Sequence, residues 1–135
     1  MSFAKIIILY VASLVVFFAI DLVWLGLISK NFYNTQLGHL LSPKVNWAAA
    51  VIFYLIFIAG ILVFAVLPGV EGGSIGKTAL MAAFFGLVCY ATYDLSNAAT
   101  VKGWPMIVTV VDMVWGVTIS TIVGVAAYYI GRLLV

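Results

Sequence analysis

Residues 6 to 28, 46 to 67, 77 to 98 and 105 to 131 each form a long, predominantly apolar run. A helix rises about 1.5 Å per residue, so about 20 residues cross the roughly 30 Å hydrocarbon layer of a bilayer. Each run is long enough. Turn-forming residues stand between them: "SPK" at 42–44, "PGVEGG" at 68–73 and "KGWP" at 102–105. Barrel strands would alternate polar and apolar residues, whereas these runs are apolar on all sides. The expected fold is an all-α membrane protein, a four-transmembrane-helix bundle in which residues 1–135 make a single integral membrane domain. With 67% of the residues hydrophobic and 7% charged, nothing is left over for a soluble domain. The implied partner is the lipid bilayer. A net charge of +2 without a basic tract argues against nucleic acid.

The first run is too long for a secretion signal, is interrupted by Asp21 and lacks a small-residue cleavage pattern, so it is expected to stay as an anchor. Cys89, the single cysteine, lies inside the third run and has no disulfide or metal-type spacing. Four spans put both termini on one side, here side A, together with the loop at 68–76. The loops at 29–45 and 99–104 lie on side B. Lys5, Lys77 and Arg132 flank side A and Lys30, Lys44 and Lys102 flank side B, which ties the positive-inside count. The short N-terminus carrying Lys5 favours cytoplasmic termini in an inner (cytoplasmic) membrane.

Acidic residues are where they cost most. Glu71 is in a loop, but Asp21, Asp94 and Asp112 fall inside spans, and an ionised Asp at a helix centre costs about 2.5 to 3.5 kcal/mol on insertion scales. Counting residues from the span ends puts all three roughly 6 to 11 Å below side B. They are expected to occupy one layer. One turn before Asp94 is Tyr90 and three residues after it is Asn97, so "YATYDLSN" carries a polar stripe that also includes Tyr93 nearby. From Asp112, steps of four give Gly116, Ser120 and Gly124, a small-residue row that lets membrane helices approach closely. Asp112 should therefore face the bundle interior.

The quartets "DLVW" (21–24) and "DMVW" (112–115) repeat an Asp three residues before a Trp. Trp24 and Trp115 are candidate pocket walls with Trp104, while Trp47 and Trp104 also suit interfacial anchoring. The side B loop "SKNFYNTQLGHLLSPKVN" is long for a hairpin connection and places Phe32, Leu37, Leu40 and Leu41 on one face of a short helix that would lid the layer. His39 in that loop is open to two readings, proton shuttle or solvated side chain. Lys102 either reaches down to Asp94 as a counter-ion or snorkels to headgroups.

Crowded carboxylates in a low-dielectric layer must be protonated, hydrogen-bonded or paired. Three readings follow. The favoured one is a carboxylate–aromatic pocket that binds a proton, cation or small polar ligand in transport, built from Asp21, Asp94, Asp112, Tyr90, Tyr93, Asn97, Trp24, Trp115, Trp104 and Lys102. The second is a membrane enzyme, or an accessory subunit, acting on lipids with the same residues, and the third a structural bundle clamped by hydrogen-bonded Asp side chains. One histidine does not make a metal site, "GGSIG" (72–76) lacks a nucleotide-loop signature, and no cofactor is indicated. Pairing into a homodimer is left open by the small size of the unit.

The stretches "DLVWLG", "YATYDLSNAATVKGWP" and "VDMVWG" together resemble the family of small bacterial inner-membrane proteins catalogued as domain of unknown function 2177. The resemblance covers nearly the whole chain. It implies a four-helix membrane protein with no assigned activity, and its motifs fall on Asp21 and Trp24, on Tyr93, Asp94, Asn97, Lys102, Gly103, Trp104 and Pro105, and on Asp112, Trp115 and Gly116.

Overall fold

A computed structural model describes residues 1–135. Four helices are long and apolar enough to cross a membrane: α1 (Phe3–Ile28), α3 (Trp47–Gly72), α4 (Ile75–Thr100) and α5 (Met106–Leu134). A short helix, α2 (Lys30–Leu37), lies between the first two. The chain is an all-α membrane bundle. Three starts are capped alike: the side-chain oxygens of Ser2, Asn46 and Ser74 accept the backbone N–H groups of Lys5, Ala49 and Lys77 at 3.3, 3.2 and 3.1 Å. Each satisfies a donor the helix itself leaves free.

One boundary departs from the sequence expectation. The "PGVEGG" stretch is not a loop, because α3 runs through Pro68 to Gly72. Proline normally breaks a helix by lacking an N–H and clashing with the carbonyl four residues back. Here a wide turn over Leu62–Val66 precedes it, with Leu67 N–H bonded to the Leu62 carbonyl, and that displaced ladder accommodates the ring. The chain reverses instead at Gly73, whose φ of 68° suits a residue without a Cβ. A second wide turn, Trp24–Ile28, ends α1; the Ser29 N–H and hydroxyl both donate to the Trp24 carbonyl at 2.8 Å.

α4 and α5 pack most extensively, in a register set by small residues. Asp94 stands opposite Asp112, Tyr90 opposite Gly116, Gly86 opposite Ser120 and Ala82 opposite Gly124. A Cβ placed on Gly116 would lie 2.3 Å from the Tyr90 ring, one on Gly86 would lie 2.4 Å from the Gly116 carbonyl oxygen, and one on Gly124 would lie 2.6 Å from Ala82. The helices come this close because in each of these three pairs one partner is a glycine and leaves room for what faces it. Gly86→Ala is expected to cost about 1–3 kcal/mol by forcing the pair apart, which a thermal melt in detergent would detect; an unchanged melt would mean the register is not fixed by this contact. Toward side A, Leu9, Phe17, Phe57, Ile58, Ile61, Val66 and Val123 close the core. Leu27, Leu80 and Leu133 face outward, as lipid-facing positions should.

The side B loop is a lid over this bundle, though shorter in helix than expected. α2 stops at Leu37, which is buried, while Leu40 and Leu41 lie in exposed non-helical chain rather than on its apolar face. Gly38 cannot extend the face, and the turn around it redirects the chain. His39 Nε2 lies 3.2 Å from the Gly103 carbonyl, tying the end of the lid to the α4–α5 turn.

Candidate functional site

The α4–α5 register brings Asp94 and Asp112 face to face. Asp94 is fully buried, and no N–H or O–H of the protein reaches either of its carboxyl oxygens. What lies within hydrogen-bond reach is the carboxyl of Asp112. Two carboxyl groups in contact with no donor between them are chemically coherent when one proton bridges them, as in other paired-Asp sites. The pair then acts as one proton-holding unit.

Asp112 is 92% buried, being 8% exposed, and it accepts the hydroxyl of Tyr33, delivered from the lid helix α2. Trp24 Nε1–H in turn donates to the Tyr33 oxygen at 3.4 Å. Burial first, and then the bond to Asp112, push the Tyr33 hydroxyl above the ordinary tyrosine range, with the Trp24 N–H opposing to a smaller degree. Tyr33 is thus a fixed donor at neutral pH. Because the folded chain holds this proton more tightly than the unfolded chain does, the contribution is intact below the ordinary tyrosine pKa of about 10 and is lost as pH rises beyond it. Phenolate absorbance during an alkaline titration should show a late-ionising tyrosine fraction, and Tyr33→Phe should reduce its amplitude by one tyrosine; an undiminished amplitude in Tyr33→Phe would reassign the effect.

Asp21 forms a second centre on α1. It is 7% exposed and accepts from the Tyr54 hydroxyl of α3 at 3.3 Å and from Trp115 Nε1–H of α5 at 3.4 Å. Trp24 and Trp115 stack with centroids 4.3 Å apart and planes 10° from parallel. The two Asp–Trp quartets therefore serve each other. The tryptophan of "DMVW" donates to the aspartate of "DLVW", and the tryptophan of "DLVW" holds the tyrosine that donates to the aspartate of "DMVW". Tyr90 is seated against Gly116, one helical turn beyond Asp112 on the facing helix.

The remaining residues singled out from the sequence lie around this core. Trp104 Nε1–H donates to Thr109 Oγ1 at 3.0 Å, and Thr109 donates to the Asp94 backbone carbonyl at 3.4 Å. Trp104 thereby steadies the backbone at Asp94 and does not touch its carboxyl. Tyr93 is 57% exposed and meets Trp104 edge-on at 5.8 Å, and Asn97, one turn further on, is half-buried. Neither Tyr93 nor Asn97 donates to Asp94. Lys102 is exposed in the α4–α5 turn and is not a partner of Asp94. Trp47 is 69% exposed at the start of α3, where an interfacial anchor belongs.

Tyr33, Tyr54 and Thr109 were not among the sequence candidates. Tyr54 carried a usable signal, since it is the one hydroxyl-bearing side chain in an otherwise apolar second run. Tyr33 did not, because nothing in "NFYNTQ" distinguishes its hydroxyl from the apolar Phe32 face beside it. Alongside the tryptophan stack runs a groove of about 350 Å³ lined by Trp24, Val110, Val111, Val114, Trp115 and Thr118. It opens outward, for Val110 is 54% and Val114 63% exposed.

A family model described as predicted membrane protein (DUF2177) matches residues 6–129 of the chain. No curated protein and no solved structure matches it.

Proposed function

Starting from the fact that this chain belongs to the DUF2177 family of predicted membrane proteins, we propose that it binds a proton inside the membrane, at Asp94 and Asp112, in the service of transport. One observation carries the reading. Asp94 is completely buried, lacks any donor, and has another carboxyl as its neighbour. Intramembrane acids of this kind mark proton and substrate pathways in other membrane proteins.

The choice of a proton over a metal cation follows from the groups that face the carboxylates. Asp112 faces the Tyr33 O–H, and the neighbouring Asp21 faces the Tyr54 O–H and the Trp115 N–H, whereas a hard cation is held by oxygen acceptors. A proton needs no further ligands. Tyr33 supports exchange with side B: it is carried on the lid and contacts Asp112, so movement of α2 would uncover the pair.

The test is reconstitution into liposomes with a trapped pH-sensitive dye and an imposed pH gradient. Faster dye response than in protein-free liposomes, lost in Asp94→Asn, is the expected result; a response equal to protein-free liposomes, or one unaffected by Asp94→Asn, overturns the reading. Chemistry on membrane lipids by the same acids is the second reading, and the outward-opening groove beside Trp24 and Trp115 favours it. That reading expects no proton flux and an altered lipid composition in cells producing the protein.

A further inference from the structure

We infer that the groove beside the tryptophan stack is a lipid site, holding one acyl chain of a phospholipid from the side B leaflet; this rests on the reading of the neighbouring acids as a functional centre. The groove is part of the lipid-facing surface. Val110 and Val114, on its floor, are more than half exposed on the outer side of a spanning helix, so the bilayer itself supplies what covers them. Its lining includes no charged side chain, which excludes a polar headgroup and suits hydrocarbon. Along α5 it extends from Val110 to Thr118, about 12 Å at the helical rise, in the half of the membrane nearer side B.

What separates this groove from ordinary lipid-facing surface is its far wall. A chain lying there presses on Trp24 and Trp115, the two side chains whose N–H groups hold Tyr33 and Asp21. Occupancy therefore braces the stack from outside while the acids lie behind it. A free fatty acid would bring its carboxylate toward a layer already carrying three acids, whereas a phospholipid keeps its headgroup at the surface and inserts only the tail. The occupant is accordingly the phospholipid.

The full chain, purified in mild detergent and supplied with vesicles of phosphatidylethanolamine and phosphatidylglycerol, is to be examined by native mass spectrometry. One phospholipid retained per chain is expected. Val114→Trp places a large ring in the groove from its lipid-facing side and should lower the retained fraction about tenfold, a change typical of one lost subsite contact. Leu133→Trp, at an 86% exposed position away from the groove, should leave it unchanged. Absence of a retained phospholipid, or equal retention in Val114→Trp and Leu133→Trp, overturns the inference. So does a spectrum in which Val114→Trp abolishes a dimer instead, since the groove would then be occupied by a second copy. Asp94→Asn should retain the lipid even where it loses proton flux, so failure of the lipid site and failure of the proton reading give different results.

Discussion

Asp94→Asn is expected to abolish proton movement in liposomes while changing the stability of the folded bundle by no more than about 1 kcal/mol. The carboxamide is the same shape as the protonated acid, and its N–H can donate to Asp112 where the shared proton now lies. The packing of α4 on α5 is left intact, but the group can no longer give its proton up. A second readout separates binding from movement: an infrared carbonyl band of a neutral carboxylic acid should be present in the parent protein and absent or much reduced in Asp94→Asn. Asp94→Leu sharpens the contrast, because it removes the acid and leaves Asp112 without its neighbour while Tyr33 still donates to it. If Asp94→Asn melts several degrees lower with flux and the acid band both retained, the pair is a structural clamp and the transport reading falls.

Trp115→Ala should lower stability by about 3–5 kcal/mol, the usual cost of emptying a large aromatic site. Two losses combine at this residue. The ring stacks flat on Trp24, and its N–H is one of two donors to the buried Asp21 carboxylate. Trp115→Phe divides them: it keeps a stacking partner and removes the N–H, for which about 1–3 kcal/mol is expected. Denaturation in mixed micelles, followed by helix content, measures both. Equal losses in Trp115→Ala and Trp115→Phe would show that the ring contributes nothing beyond its N–H, and the stack would no longer be the link between the two Asp centres.

How much of this was legible beforehand differs element by element. Asp94 and Asp112 could be placed at one depth from residue counts, and the Gly116–Ser120–Gly124 row pointed Asp112 inward, because helical rise and periodicity are local properties. The stripe around Asp94 was less informative. Tyr93 and Asn97 are within a turn of it in sequence, yet Tyr93 is 57% exposed and neither side chain donates to the Asp94 carboxyl. A stripe read from spacing has an angular width, and only the position of the neighbouring helix decides which edge of it is inside. The Pro68 stretch failed for a related reason. A proline next to glycine signals a turn, but an upstream wide turn cancels the clash, and no composition rule marks where such a turn forms.

The sequence by itself determined the spans, the membrane setting and the level at which the acids lie, since these follow from apolar length and from the rise per residue. Tertiary structure alone decided who partners whom. Tyr33 from the lid and Tyr54 from α3 meet acids 79 and 33 residues distant, and the two Asp–Trp quartets exchange donors across the bundle. Such pairings depend on how helices rotate about their own axes as small residues let them close, and that rotation is settled by packing between helices rather than by the order of residues along any one of them.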